Sequence, residues 1–276
     1  MITTEPLSAG LGVRVSGFTG NSTLDHGALR EFNEILHQHD LVLCSIDGFT
    51  EEDQRRLAQS IGEITIRGSY DVDPLQPDTQ YVSNTRGDGI LGTGRLAFHH
   101  DHLFYERPLT ALMLYAIEIP TSGSVTCFRS AADCYTALTP ALRERVDAIE
   151  LLHLYDYAKI NAGLYKPFAD PATASADAVF DYKPLAWRRP VSGETMLWLS
   201  PPEGFRGVEH DEGIAFFNDL CGYLDAHADE IGHLDHSWTP GDLVVWNNLT
   251  VAHARRPFDK SQPRTLRRTP IVGEVR

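Results

Sequence analysis

Cysteine is scarce and unpatterned in this 276-residue chain: Cys44, Cys127, Cys134 and Cys221 are the only four, and none stands in a C-x-x-C pair. That excludes a disulfide framework and a four-cysteine zinc module. Basic residues are in deficit, 24 Lys plus Arg against 38 Asp plus Glu, for a formal charge of -14. Nucleic acid and anionic membranes both demand a basic footprint, so neither is an expected partner. Long apolar runs are missing as well, since ALMLYAIEI and LVVW break off far short of the roughly 18 residues of a membrane span. The opening MITTEPLSAGLGVRVSG lacks the basic and apolar regions of a secretory signal. The expectation is a soluble, cytoplasmic protein with reduced thiols and a small-molecule partner.

What is present reads as an ordinary folding composition, 42% hydrophobic and 22% charged. The length suits one large domain over residues 1–276, with no internal repeat and no linker. LGVRVSGF alternates like a strand, and Leu29, Phe32, Ile35 and Leu36 then recur at helical spacing. LVLCSI reads as a buried strand. Thr50 with Asp53 offers a capping box for the helix TEEDQRRLAQSIG, closed by Gly62. Thr139 and Pro140 read as N-cap and first helical position. TMLWL, LVVWNN and TLRRTPIVG are strand-like, and IAFFNDLCGYLDAH is helical. Residues from about 153 to 187 show little periodicity and read as a lid insertion. Strands with a few appended helices favour a β-sandwich or barrel over a doubly wound sheet.

Most of the twelve histidines have no partner that makes chemical sense of them. The run His99, His100, Asp101, His102 differs. In a strand, residues i and i+2 face the same way, so His99 and Asp101 would project together while His100 turns aside. Two histidines and a carboxylate with open positions are the donor set of non-haem Fe(II) oxygenases. His253, just after LVVWNN, is the best third ligand. H-x-D alone also arises as ordinary polar pairing, and the combination is what carries weight.

These segments together resemble the taurine dioxygenase/TfdA family of Fe(II)- and 2-oxoglutarate-dependent dioxygenases. The likeness runs in family order through LGVRVSGF, LVLCSIDGFTEEDQRRLAQSIGEI, FHHDHLFYERP, SGSVTCFRSAADCYTALTP, WTPGDLVVWNN and HARRPFDKSQPRTLRRTPIVGE. It implies a double-stranded β-helix, or jelly roll, mainly β with flanking helices. It implies His99, Asp101 and His253 as ligands of Fe(II), with 2-oxoglutarate and O2 as cosubstrates. Asp101 stands where related halogenases carry a small residue, which argues for oxidation without halogen. A buried dicarboxylate calls for a fork of donors; Arg264, eleven residues beyond His253, matches the family's 2-oxoglutarate arginine, and Thr126 matches its hydroxyl partner. Arg268, four residues on, should face the same way in an uninterrupted strand and matches the position that binds an anionic head group in sulfonate- and carboxylate-oxidising relatives.

Arg95, Phe98, Asn84, Tyr155 and Tyr157 are further candidates for the substrate pocket. His100 between the ligands, and Arg95 where some relatives carry an amide, depart from the family pattern and put taurine itself in doubt. The expected activity is oxidation, above all hydroxylation, of a small anionic organic substrate with release of succinate and CO2. Desaturation, cyclisation or epimerisation in a biosynthetic pathway is the alternative within the same chemistry. A non-catalytic metal-binding jelly roll and a zinc hydrolase are alternatives of other classes; the first has no use for a dicarboxylate clamp, and the second lacks a further carboxylate as general base. Family members are often dimers or tetramers.

Overall fold

The computed structural model describes residues 2–8, 10–19, 24–66, 79–90, 94–156, 171–176 and 178–273. Its first half runs β1 (Thr3–Ser8), β2 (Leu11–Ser16), α1 (His26–His39), β3 (Leu41–Ser45), α2 (Glu51–Ile61), β4 (Glu63–Ile64), β5 (Gln80–Ser83), β6 (Gly89–Ile90), β7 (Leu96–His99), β8 (Ala111–Glu118) and β9 (Val125–Ser130). The second half runs α3 (Ala131–Thr136), α4 (Pro140–Asp147), β10 (Glu150–Tyr155), β11 (Val179–Pro184), β12 (Ala186–Arg188), β13 (Thr195–Leu197), β14 (Gly204–Arg206), α5 (His210–Ala226), β15 (His233–Ser237), β16 (Asp242–Asn247), β17 (Val251–Arg255) and β18 (Thr265–Val272).

Two sheets form the jelly roll. The large one has the order β1-β2-β3-β16-β8-β18-β5-β6, with β4 added beside β18. The small one has the order β15-β9-β17-β7. Strand alternation sorts the side chains of the large sheet. Leu112, Leu114, Val244, Trp246 and Leu266 pack inward with Phe128 and Val251 of the small sheet. Their neighbours Ala111, Met113, Tyr115, Leu243, Val245 and Ile271 pack on the other face against Phe32, Leu36, Leu57 and Ala58 of α1 and α2. Covered on both faces, β18 is buried along its whole length. Each large apolar side chain so enclosed contributes about 1.5–3 kcal/mol.

The local signals act where the sequence puts them. Thr50 and Asp53 form the reciprocal capping box of α2, and Thr139 caps α4 with Pro140 in its first turn. Gly62 does end α2, but not as a left-handed cap: its φ is 178°, and a Cβ there would meet the Val272 carbonyl oxygen at 2.6 Å. Close approach to β18 is what requires glycine.

The stretch expected as a lid, about 153–187, carries strands at both ends. His153–Tyr155 belong to β10, which pairs antiparallel with β11 over its whole length, His153 opposite Asp181. Residues 186–188 form β12, paired to β13. Periodicity missed β10 because Leu151, Leu152, His153 and Leu154 are all buried, and a strand covered on both faces loses its alternation. Residues 157–170, Tyr157 among them, lie outside the described residues.

Candidate active site

β7 and β17 lie side by side in the small sheet with His99 directly opposite His253. Cross-strand partners share a face, and the two imidazole centroids are 4.2 Å apart. Asp101 completes the group. Its Oδ1 is 3.1 Å from His99 Nε2 and 3.8 Å from His253 Nε2, and the three donor atoms lie within 4.8 Å of one another. The expected triad therefore converges, though not for the reason strand alternation offered. β7 ends at His99, and Asp101 sits in the turn beyond it. His100 does turn away, its Nδ1–H donating to the Asn248 carbonyl at 2.6 Å.

The donor set is prepared for a cation. His99 Nδ1 is 2.8 Å from the Ala97 carbonyl, which can only accept, so Nδ1 carries a proton and Nε2 faces Asp101. Burial works to lower the His99 pKa, but Asp101 and the Ala97 carbonyl outweigh it and raise it, so a cation bound at Nε2 takes a place the carboxylate otherwise favours for a proton. Burial, and then His99 beside it, holds the His253 imidazole well below its ordinary pKa, so that ring is neutral. Burial works to raise the Asp101 carboxyl, but the Arg268 guanidinium outweighs it, helped by His99 and His253, and Asp101 is ionised far below the usual carboxylate range. Cis ligands of an octahedral site with bonds near 2.1 Å stand about 3 Å apart, close to the two spacings seen here. Two imidazoles and a carboxylate with room for further ligands suit a divalent first-row metal.

Beside the triad is a cavity lined by Thr126, Trp246, Arg255, Arg264, Leu266 and Arg268. Arg264 and Arg268 do share a face, as four-residue spacing in a strand predicts. Arg264 is 2% exposed, and its Nε donates to the Ser124 hydroxyl at 2.9 Å. Burial, with nearby Arg255 adding to it, pushes the Arg264 pKa down to about 9, still charged at neutral pH. Thr126 Oγ1 accepts the Trp238 indole N–H at 2.8 Å, which leaves its own hydroxyl proton to donate elsewhere. The free space is about 40 Å³, room for roughly one water. A cavity of about 420 Å³ elsewhere, lined by His37, Trp187 and Asn247 among others, holds none of the triad.

A family description, "Taurine catabolism dioxygenase TauD, TfdA family", matches residues 3–269. The chain belongs to this family. With it the chain joins the 2-oxoglutarate-dependent dioxygenases. It is 26% identical over 284 residues to an alpha-ketoglutarate-dependent sulfate ester dioxygenase of Pseudomonas putida, covering 98% of this chain and 89% of the other. It is also 26% identical to pentalenolactone F synthase of Streptomyces avermitilis, covering 98% and 94%. Among solved structures it is similar to AAD-2 in complex with Mn(II) and N-oxalylglycine, with TM-score 0.79 at 22% identity over 99% and 98% of the two chains. A taurine dioxygenase from Burkholderia xenovorans gives TM-score 0.76 at 23% identity over 99% and 91%. At that identity the structures speak for the jelly-roll fold.

Within this dioxygenase the other substrate candidates fare unevenly. Arg268 lines the cavity, but its guanidinium is engaged: one nitrogen is 2.5 Å from Asp101 Oδ2 and another donates to Gln80 Oε1. Asn84 works for the β17–β18 connection, donating to the Gln262 carbonyl at 2.9 Å and accepting the Arg264 N–H at 2.8 Å. Arg95 is exposed and outside the cavity lining. Tyr155 stacks on Phe104 at 4.9 Å, also outside that lining. Phe98 lies under the Arg129 guanidinium at 4.1 Å. Sequence reading missed Arg255, whose Nε donates to the Gly94 carbonyl at 2.9 Å. Its position two residues beyond His253 on one strand was signal enough. Trp246, 4.9 Å from the His253 ring, and Trp238, which donates to Thr126, were missed because only the tertiary fold brings them to the site.

Proposed function

We propose that His99, Asp101 and His253 hold Fe(II), that Arg264 and Thr126 bind the distal carboxylate of 2-oxoglutarate, and that the enzyme hydroxylates a small anionic organic substrate. The observation that carries this reading is the convergence of two imidazoles and one ionised carboxylate beside a cavity with a buried, charged arginine. When bound, the iron with 2-oxoglutarate and O2 supplies the oxidising chemistry, releasing succinate and CO2. The chain's own residues bind, orient and exclude water. Arg264 offers paired N–H donors in a low-dielectric setting where a carboxylate is held strongly. Thr126, its oxygen held by Trp238, donates its remaining proton to the same anion. Leu114, Leu266, Val82 and Trp246 supply the apolar wall of the cavity, which keeps reactive species from water.

Arg268 is the residue proposed to receive the substrate's anionic head. Its place in the cavity supports this, and the sulfate ester dioxygenase among the relatives acts on a substrate class of that charge. A bound anion would share the guanidinium with Asp101. The four cysteines are all free thiols, which favours a reducing cytoplasm, and no described helix is long and apolar enough to cross a membrane.

The test is anaerobic titration of the purified protein with Fe(II) and 2-oxoglutarate, followed in air by succinate release over small sulfate esters, sulfonates, carboxylates and aryloxy acids. At least one anionic compound is expected to stimulate release, and Asp101→Ala to abolish it. An Asp101→Ala variant that still couples substrate oxidation to succinate at the normal rate would overturn the ligand assignment. Stimulation by neutral compounds alone, untouched in Arg268→Ala, would overturn the anionic-substrate assignment.

A further inference from the structure

The third member of the triad is the one that no strand holds. β7 stops at His99, so the Asp101 N–H and C=O have no ladder partners. The next residue, His102, has φ of 61°, a left-handed conformation that a non-glycine residue adopts only when its surroundings enforce it. What replaces the ladder is one side chain. Asn248 Oδ1 accepts the Asp101 N–H at 2.9 Å, and Asn248 Nδ2 donates to the Asp101 C=O at 3.0 Å. A primary amide carries an acceptor and a donor side by side like a peptide group, so it can pair with both backbone groups of one residue as an adjacent strand would.

The rest of Asn248 is spent on the same stretch of chain. Its second Nδ2 hydrogen goes to the Leu109 carbonyl at 2.8 Å, and its backbone N–H to the Thr110 carbonyl at 2.9 Å. Its own carbonyl takes the His100 ring, as described above. The residue is fully buried in the turn between β16 and β17, the strand that carries His253. It therefore ties the segment bearing Asp101 to the connection that leads into the distal histidine, and the relative placement of the two ligands passes through this amide.

We infer that Asn248 is the positioning residue of the metal-binding carboxylate, acting on Asp101 through its backbone and not touching the metal. The inference rests on the assignment of Asp101 as a ligand proposed above. Without the amide, the turn can relax from the left-handed His102, and Asp101 spends less time aimed between the imidazoles. Loss of outer partners that orient ligands costs roughly 10–100-fold in metal affinity.

The test uses the full-length apo-protein and Mn(II), with free ion read by electron paramagnetic resonance. Asn248→Ala is expected to bind Mn(II) roughly 10–100-fold more weakly than wild type, and to add no further loss in an Asp101→Ala background. A purely structural defect would weaken Mn(II) binding in both backgrounds. In the wild-type protein, the Asp101 backbone amide is expected to exchange slowly with deuterium although it lies outside any strand. Three results would overturn the inference: a folded Asn248→Ala with wild-type Mn(II) affinity, an equal loss with and without Asp101, or a wild-type Asp101 amide that exchanges as fast as an open turn. Should Asn248→Ala not fold, the wild-type exchange rate decides. If Asp101→Ala alone leaves Mn(II) affinity unchanged, it is the ligand assignment that fails, and the exchange rate still decides the role of Asn248.

Discussion

Arg264→Met should make the ligand-free protein more stable while disabling it for 2-oxoglutarate. The guanidinium is 2% exposed, lies 5.3 Å from the Phe258 ring centroid, and has among the described residues no carboxylate within ion-pair distance. Burial lowers its pKa from the ordinary arginine range to about 9. The folded protein thus holds this proton about a thousandfold less tightly than the unfolded chain, a penalty of about 4 kcal/mol. At pH 7 the group is charged in both states, so the folded state carries that penalty in full. Methionine keeps much of the stem and sheds the charge, at the loss of one hydrogen bond to Ser124, about 1 kcal/mol. A net gain of about 1–3 kcal/mol corresponds to a rise in Tm of about 2–4 °C per kcal/mol for a chain of this size. Wild type should also gain about 2.7 kcal/mol from 2-oxoglutarate at a hundred times its Kd, and the variant none. Thermal unfolding at pH 7 with Mn(II), with and without 2-oxoglutarate, reads both effects. A variant less stable than wild type without ligand, or one that keeps the ligand-dependent rise, would refute the reasoning.

Two further outcomes test the scaffold around the site. His153 is buried and its pKa is pushed down to about 3, by burial first and then by His100 and Lys183, with Asp181 opposing. It is neutral when folded and takes up a proton on unfolding below about pH 6.5, so its stability contribution is complete above that pH and is lost as pH falls toward 3. His153→Gln should therefore flatten the acid limb of denaturant-derived stability by up to about 1.4 kcal/mol per pH unit, and an unchanged slope between pH 6 and 4 would contradict this. Gln54 is 1% exposed, accepts the Arg267 Nε–H at 2.7 Å and donates to Thr269 Oγ1 at 2.9 Å. Gln54→Ala strips a partner from a buried guanidinium and should cost about 2–4 kcal/mol in urea unfolding, with kcat/KM retained because neither residue reaches the cavity.

Much of this protein is determined by sequence alone, and for definable reasons. Caps such as Thr50 with Asp53 act within one turn of chain, so their partners are already neighbours in sequence. The strands β3, β16 and β18 carry their own apolar pattern, and four-residue spacing puts Arg264 and Arg268 on one face of any straight strand. Donor type and spacing singled out His99 and Asp101 and made His253 the best third candidate, and the family resemblance matched all three.

The tertiary structure decided what depends on contacts between distant segments. Strand pairing, not spacing, brought His253 opposite His99 across 154 residues of chain. Alternation placed Asp101 correctly for a strand that in fact stops two residues earlier, and the true support comes from an asparagine 147 residues away. Asn84, Arg95 and Tyr155 looked eligible for the cavity by type, and only packing showed their side chains engaged elsewhere or exposed. The stretch after His153 read as irregular because burial on both faces erases alternation, a condition no local window can see. Type and spacing determine which residues are able to do chemistry; long-range pairing decides which of them meet.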